Sequence, residues 1–361
     1  MLKMSWMKKA AALFVAAALF ASVGIAPASA ADGKHFKAAW SIYTGYMPWA
    51  YAQKSGILKK WADKYGITID LVQLNDYVES INQYTAGQFD AVTDTVMDSL
   101  TIPAAGGVDT TMLIVGDYTN GNDSIFIKGK GKTMADLKGK KVFLVQYSVS
   151  HYMLWRALQE SGMSEDDITT ANIADADFVA AYNTDEVQAV VAWNPATSQI
   201  RKLGTASEVF NSSQLPGEIQ DSLSVNTAVL KAHPEFGKAL VGAWYETLKL
   251  MQKNDAEGKG ARTFMAASSG TDLADFGNQV STTAFYYDPA KGVEAFTSPK
   301  MAKIVDDTME FSFTHGLLGA AAKDKGFIGI ELADGTVLGD KNNVKLRVDP
   351  SYMKMAADGK L

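Results

Sequence analysis

Strand-like apolar runs alternate with helix-like segments from Phe36 to Val115, and the alternation restarts at Lys141. A strand followed by a helix at every step cannot pair with its successor as a hairpin. The connections must cross over, and the sheet they build is largely parallel. In the first block, residues 36–42, 67–74, 89–93 and 111–115 read as strands, and 48–65, 77–86 and 97–105 as helices. The helices stop at Gly66, Gly87 and the pair Gly106-Gly107, where a left-handed backbone costs nothing. In the second block, 141–145 and 187–192 are strands and 150–160 is a helix ending near Gly162. Residues 223–227 read as a strand leading back out, 236–252 as a long helix, and 327–361 as a tail with a hairpin turn at Asp334-Gly335.

Residues 1–30 stand apart from this rhythm. Lys3, Lys8 and Lys9 precede an Ala/Leu/Phe/Val run over 10–25, and Ala28-Ser29-Ala30 precedes the polar Ala31-Asp32-Gly33-Lys34. These are the three parts of a secretory signal peptide. The run falls short of the roughly 20 apolar residues that span a bilayer, so cleavage after Ala30 is expected rather than anchoring. The remainder is long enough for two lobes with separate cores. The chain has no cysteine, which excludes disulfides, thiolate catalysis, thiolate metal ligands and a lipid-modified cysteine at the cleavage point. Its net charge is −6, or −9 without the three leader lysines. That balance argues against nucleic acid and against anionic membrane surfaces as partners.

An internal echo locates a candidate cleft. Ala86-Gly87-Gln88-Phe89-Asp90-Ala91-Val92 recurs loosely as Asn183-Thr184-Asp185-Glu186-Val187-Gln188-Ala189-Val190. One copy runs into Thr93-Asp94-Thr95, the other into Trp193-Asn194-Pro195. Ligands of open α/β sheets sit beyond the carboxyl ends of strands, so two such loops would frame one cleft. Trp40, Tyr43, Tyr46 and Trp49 cluster at the first strand end, and Trp193 stands at the matching exit of the second block. Aromatic faces there would attract a cation, although Trp40 and Trp49 serve equally well as core.

Asp94 and Asp98 are spaced to share a helix face. Asp94 can cap that helix, whereas Asp98, one turn inside, is not explained by capping. Asp123 ends the polar stretch 117–123 and could face a ligand or bond nearby backbone. Ser148 and Ser150 open a helix, where N-capping is the plain role, although the same N–H groups could receive a ligand acceptor atom. His151 beside them has no local metal or nucleophile partner, so a structural role is expected. Basic residues avoid all these loops. The arginines are Arg156, Arg201, Arg262 and Arg347, and no lysine falls within 38–53 or 76–127. Without a guanidinium fork, the set suits a cation or a neutral, donor-rich molecule better than an anion.

Several segments carry a family resemblance in order. They are Tyr46-x-Pro48-x-x-x-Ala52-x-x-x-Gly56, Ala86-Gly87-Gln88-Phe89-Asp90-Ala91, Gly139-Lys140-Lys141-Val142, Ser148-x-x-x-Tyr152 leading to Leu158-x-x-x-Gly162, and Val187-x-Ala189-Val190-x-x-Trp193-x-Pro195. Together they resemble the nitrate/sulfonate/taurine-type substrate-binding proteins of ABC transporters, with their thiamine-precursor and urea- or guanidine-associated relatives. The run 97–109 looks most like the urea- and guanidine-associated branch.

The resemblance implies an α/β fold of the two-lobe periplasmic-binding type II, with 31–119 plus 226–361 as lobe one and 120–225 as lobe two. Its hinge crossovers would fall near 120–124 and 222–227. It implies a periplasmic monomer with no catalytic residues, cofactor or metal, whose partners are a small-molecule ligand and a permease–ATPase complex. The expected ligand is a small cationic or amide-type nitrogen compound. The alternatives are a small anion such as nitrate or a sulfonate, a pyrimidine thiamine precursor, or a receptor that signals without import. A pyrimidine-synthase-like enzyme on the same fold would need cysteine-rich features that this chain lacks.

Overall fold

The computed structural model describes residues 34–361, so the expected leader and its cleavage point lie outside the described residues. Four strands open the chain: β1 (His35–Trp40), β2 (Thr68–Gln73), β3 (Ala91–Thr95) and β4 (Thr110–Thr119). Five more form a second sheet: β5 (Ser124–Lys128), β6 (Lys141–Leu144), β7 (Thr169–Asn172), β8 (Ala189–Ala192) and β9 (Ala206–Asn211). The chain then returns to the first sheet with β10 (Gln220–Asn226), β11 (Thr283–Phe285), β12 (Gly329–Glu331), β13 (Val337–Leu338) and β14 (Val344–Val348). The first sheet runs β13-β12-β14-β4-β10-β3-β1-β2, with β11 on β4, and the second runs β7-β6-β8-β5-β9.

Parallel pairing holds where strand and helix alternate, as in β1 with β2 and β3, and β6 with β7 and β8. It fails at the centre of the first sheet, where β10 lies antiparallel to both β3 and β4. The reason is the route of the chain. After leaving at Thr119 it returns from the second sheet through 212–219 and slots between β3 and β4 in the opposite direction. That return lies upstream of the expected 222–227, which falls within β10 and its exit into the next helix. The tail forms its hairpin at Asp334-Gly335, with β12 antiparallel to β13, and β14 extends the first sheet alongside β4.

Two expected helices break. Residues 48–65 form α1 (Met47–Ser55) and α2 (Ile57–Lys64), separated by Gly56 at φ +80°. Only glycine takes that conformation without strain. Following α3 (Tyr77–Thr85), residues 97–105 are a short α4 (Val96–Ser99) that widens into a π-type turn over Leu100–Ala104. Pro103 lies in that turn and offers no N–H to an α-helical bond.

The second sheet is buried on both faces, as a sheet covered by crossovers requires. Ile125, Ile127, Val142, Leu144, Ala189 and Val191 pack into one core, and their strand neighbours Phe126, Phe143 and Val190 into the other, larger one. The larger core continues through the first sheet to the helix Pro234–Met251, where Trp244 meets Trp49 with ring centroids 5.1 Å apart. No helix among the described residues is long and apolar enough to cross a membrane.

Candidate functional site

Residues at or just beyond the ends of β1, β3, β4, β6 and β8 converge on one small cavity between the two sheets. It holds about 310 Å³ of atom-free space, of which about 20 Å³ can be reached by the centre of a water molecule. A site of that size suits a ligand of few heavy atoms. Tyr43 and Tyr46 form one wall, their rings edge to face at 4.9 Å, and Tyr77 with Trp193 forms another at 5.6 Å. Between them come Ser41, Thr95, Thr119, Val149 and Ile219, and two carboxylates, Asp123 and Asp221. The lining contains no lysine, arginine or histidine among the described residues.

Strand register builds the acidic floor. Asp221 on β10 pairs with Thr95 on β3 and with Asp117 on β4, while Ser222 pairs with Asp94. Tyr43 OH donates to Asp117 Oδ1 at 3.0 Å. The loop 44–46 can lie against Asp117 because residue 45 is glycine. A β-carbon there would stand 2.3 Å from Asp117 Oδ2 and 2.2 Å from the Tyr43 ring. Tyr46 OH lies 2.7 Å from Asp221 Oδ1 and 2.8 Å from the Asp94 carbonyl. One hydroxyl proton cannot serve two acceptors, so a protonated Asp221 completes the arrangement.

Taken as bare carboxylates, Asp117 and Asp221 each leave one oxygen without a donor and can share a proton between them, while Asp123 Oδ2 has only the neighbouring Thr119 hydroxyl to turn to. Burial raises Asp117 and Asp123 to about 7, and burial together with the neighbouring Asp117 carries Asp221 well above the usual carboxylate range. The cation that acts on Asp123 is Arg201, which is itself held by Glu208, Ser124 Oγ and the Gly121 carbonyl.

Of the residues singled out from the sequence, Tyr43, Tyr46, Asp123 and Trp193 stand on the cavity wall. Trp40, Trp49, Asp94, Asp98 and Ser148 do not. Trp40 and Trp49 are 2 % exposed and belong to the core, Trp49 through its contact with Trp244. Asp94 is not a cap, since α4 is capped by the next residue, Thr95. It accepts from Ser222 and Ser224 at Oδ1 and from Ser99 at Oδ2, pinning β3 to β10 from below. Burial still raises it to about 7.

Asp98 does take part in capping. Its N–H meets Thr95 Oγ1, and its Oδ2 accepts from Thr95 and Tyr77 and, at 3.3 Å, from Val149 N–H. Val149 is the first residue of α5 (Val149–Glu160), where a helix N-terminus would favour an anion. Ser148 caps that turn by accepting from Ser150 N–H. The first turn of α5 is therefore satisfied from within, with Asp98 in the place an anionic ligand would take.

Asp117 and Asp221 escaped sequence reading. Asp117 falls in what looked like a polar stretch after a strand, but β4 continues through it to Thr119. The signal available was an aspartate at the end of the unbroken apolar run 112–116. Asp221 owes its place to pairing between strands remote in sequence, which no local pattern announces.

A family described as NMT1/THI5 like matches residues 58–257. A putative aliphatic sulfonates-binding protein of Escherichia coli (strain K12) is 42% identical over 64 residues, which cover 18% of this chain and 20% of that protein. The taurine-binding periplasmic protein of the same organism is 21% identical over 271 residues, covering 73% of this chain and 83% of that protein. In three dimensions, the periplasmic aliphatic sulphonate binding protein of Escherichia coli superposes with a TM-score of 0.65 at 18% identity, over 81% of this chain and 95% of that one. The chain has the α/β fold of these periplasmic binding proteins.

Proposed function

The chain belongs to the NMT1/THI5-like family, and from that premise we propose that it is an extracytoplasmic solute-binding protein that delivers a small cationic or amide-type nitrogen compound to an ABC importer. It is a receptor, not an enzyme. Residues 34–119 and 220–361 form one lobe and 120–219 the other, and the ligand is taken between them by hinge closure. The observation that carries the choice of ligand is the pair of buried carboxyl groups, Asp123 and Asp221, in a lining without a cation, with Asp117 behind Asp221. A buried carboxylate without a partner is costly, and a planar ligand rich in N–H groups supplies the missing donors while stacking on Trp193 or Tyr43. Guanidinium and urea are the simplest compounds of that kind.

The names of the sulfonate- and taurine-binding relatives favour the other reading, a small anion. For an anion, however, the cavity offers hydroxyls and the α5 terminus, and Asp98 already occupies the latter. Thermal-shift titration of the protein without its leader separates the two. Guanidinium compounds, amines and urea are expected to include a binder that adds about 2.7 kcal/mol of stability at a hundred times its dissociation constant. Tight binding of nitrate or a sulfonate, with none of the nitrogen compounds binding, would replace the cation reading by the anion one.

A further inference from the structure

Away from the cavity, the buried His151 meets the half-buried Glu165 and His315 in a second cluster. His151 Nε2 lies 2.7 Å from Glu165 Oε1, and His315 Nε2 lies 2.8 Å from Glu165 Oε2. His151 opens α5 and Glu165 precedes β7, so both belong to the layer of the second sheet. His315 follows the helix Pro299–Thr314, which packs against α4 and the turn after it, under the first sheet. Phe311 of that helix inserts among Tyr152, Trp155 and His151 of α5, at ring separations of 5.5–5.7 Å. The contact therefore ties the two layers together at a second place.

Hydrogen-bond roles fix the protons. His151 Nδ1 accepts from Tyr147 N–H, so its ring proton sits on Nε2 and points at Glu165. With that nitrogen engaged as a donor, the trio is not a ready metal site, which would need bare Nε2 atoms. His315 differs. Its Nδ1 lies 2.8 Å from the Phe311 carbonyl and its Nε2 faces a carboxylate. Both partners can only accept, so both ring nitrogens donate and the ring is an imidazolium.

We propose that His315, Glu165 and His151, with Phe311 packed on α5, form a latch that holds the two sheets' layers closed and weakens when His315 loses its proton. The proposal rests on the hinge-closing receptor reading above. Glu165, held down to about 2 by its two histidines against the effect of burial, stays charged throughout the working range. His315 is raised above its ordinary 6.5: burial opposes its charge, but Glu165 and the Phe311 carbonyl outweigh it.

Most of the remaining charges on the packed elements are paired elsewhere, and Lys300, Asp166 and the buried Asp98 of α4, held by Tyr77 and Thr95, are in no ion pair among the described residues. Arg156 of α5 is held by Glu160 and Glu218. On the long helix, Asp307 is paired with Lys303, and Asp306 and Glu310 with Lys325. Beside Glu165, Asp167 is paired with Lys138, and Asp166 is the other charge of that turn. The latch is therefore fully present below pH 6.5 and is lost as pH rises through the higher value that His315 has when latched.

The cysteine-free chain allows a direct test. Lys54→Cys and Lys130→Cys, at exposed positions on the two layers, carry spin labels for distance measurement without ligand. One short distance is expected at pH 6 and a growing longer population at pH 9, with the closed-to-open ratio falling about tenfold for each unit by which closure raises the His315 pKa. His315→Gln and Glu165→Gln should show the longer distance already at pH 6 and no response between pH 6.5 and 9. Circular dichroism and melting curves establish that both variants are folded, and retention of the short distance by either folded variant would overturn the proposal. A wild-type pH response reproduced in His315→Gln would assign it to the cleft aspartates and overturn the latch alone. A distance that never changes, even with a saturating ligand from the thermal-shift panel, would remove the hinge reading itself.

Discussion

Glu165 and Asp221 are both carboxylates packed between the same two layers, yet their surroundings push them in opposite directions. Glu165 has an imidazole on each oxygen and is drawn down to about 2. Asp221 has a tyrosine hydroxyl on one oxygen and another acid, Asp117, as its remaining neighbour, and burial with that neighbour raises it well above the carboxylate range. At Glu165 the fold supplies the counter-charge. Where the fold withholds the counter-charge from Asp123 and Asp221 in a cavity walled by aromatics, the charge is left to come from a ligand.

If that contrast is real, the largest effect belongs to the cavity aspartates. Asp123→Asn or Asp221→Asn should weaken a cationic ligand by about 1.5–3 kcal/mol, the range for a charge-assisted hydrogen bond, as read by calorimetric titration. The ligand-free fold should lose nothing, because an amide is easier to bury than a carboxylate without a partner. Next comes the aromatic wall. Trp193→Ala should cost about 1–2 kcal/mol of affinity through the lost ring face, and equal binding by this variant would move the ligand to the Tyr43–Tyr46 side.

The smallest effect is on the ligand-free protein. The raised buried aspartates in and around the cavity, at about 7 for Asp94, Asp117 and Asp123 and about 6 for Asp98, hold protons that the unfolded chain has already lost near pH 4. The native state thus binds more protons in that window, and stability falls as pH rises through it. The melting temperature should drop by several degrees between about pH 5 and pH 8, while Glu165 contributes loss only as pH falls toward 2. A melting temperature that climbs over the same interval would mean that the cavity aspartates find counter-charges.

The sequence made the architecture readable because strand and helix periods differ, and the alternation through 36–115 and 141–192 is undisturbed by long insertions. Direction was not readable: nothing within 220–226 tells that strand to run against β3 and β4, since its orientation comes from the route back out of the second sheet. In the cavity, Tyr43, Tyr46, Asp123 and Trp193 could be named because they sit where strands end. Trp40 and Trp49 look the same in sequence and turn inward, and Asp94 and Asp98 are acidic for internal reasons that only their hydroxyl and helix partners reveal. Asp117 and Asp221 are invisible alone, because what matters is that register sets them side by side.

The central claim, that a ligand's positive charge or N–H donors take the place of protons on the cavity carboxylates, has a sign that calorimetry can read. Titrating the bound compound at about pH 6.5 in buffers of different ionisation enthalpy gives the number of protons exchanged on binding. The account expects a cation to release protons and to bind more tightly as pH rises toward 8. A tightly bound anion that takes protons up, with affinity falling over the same range, would contradict it.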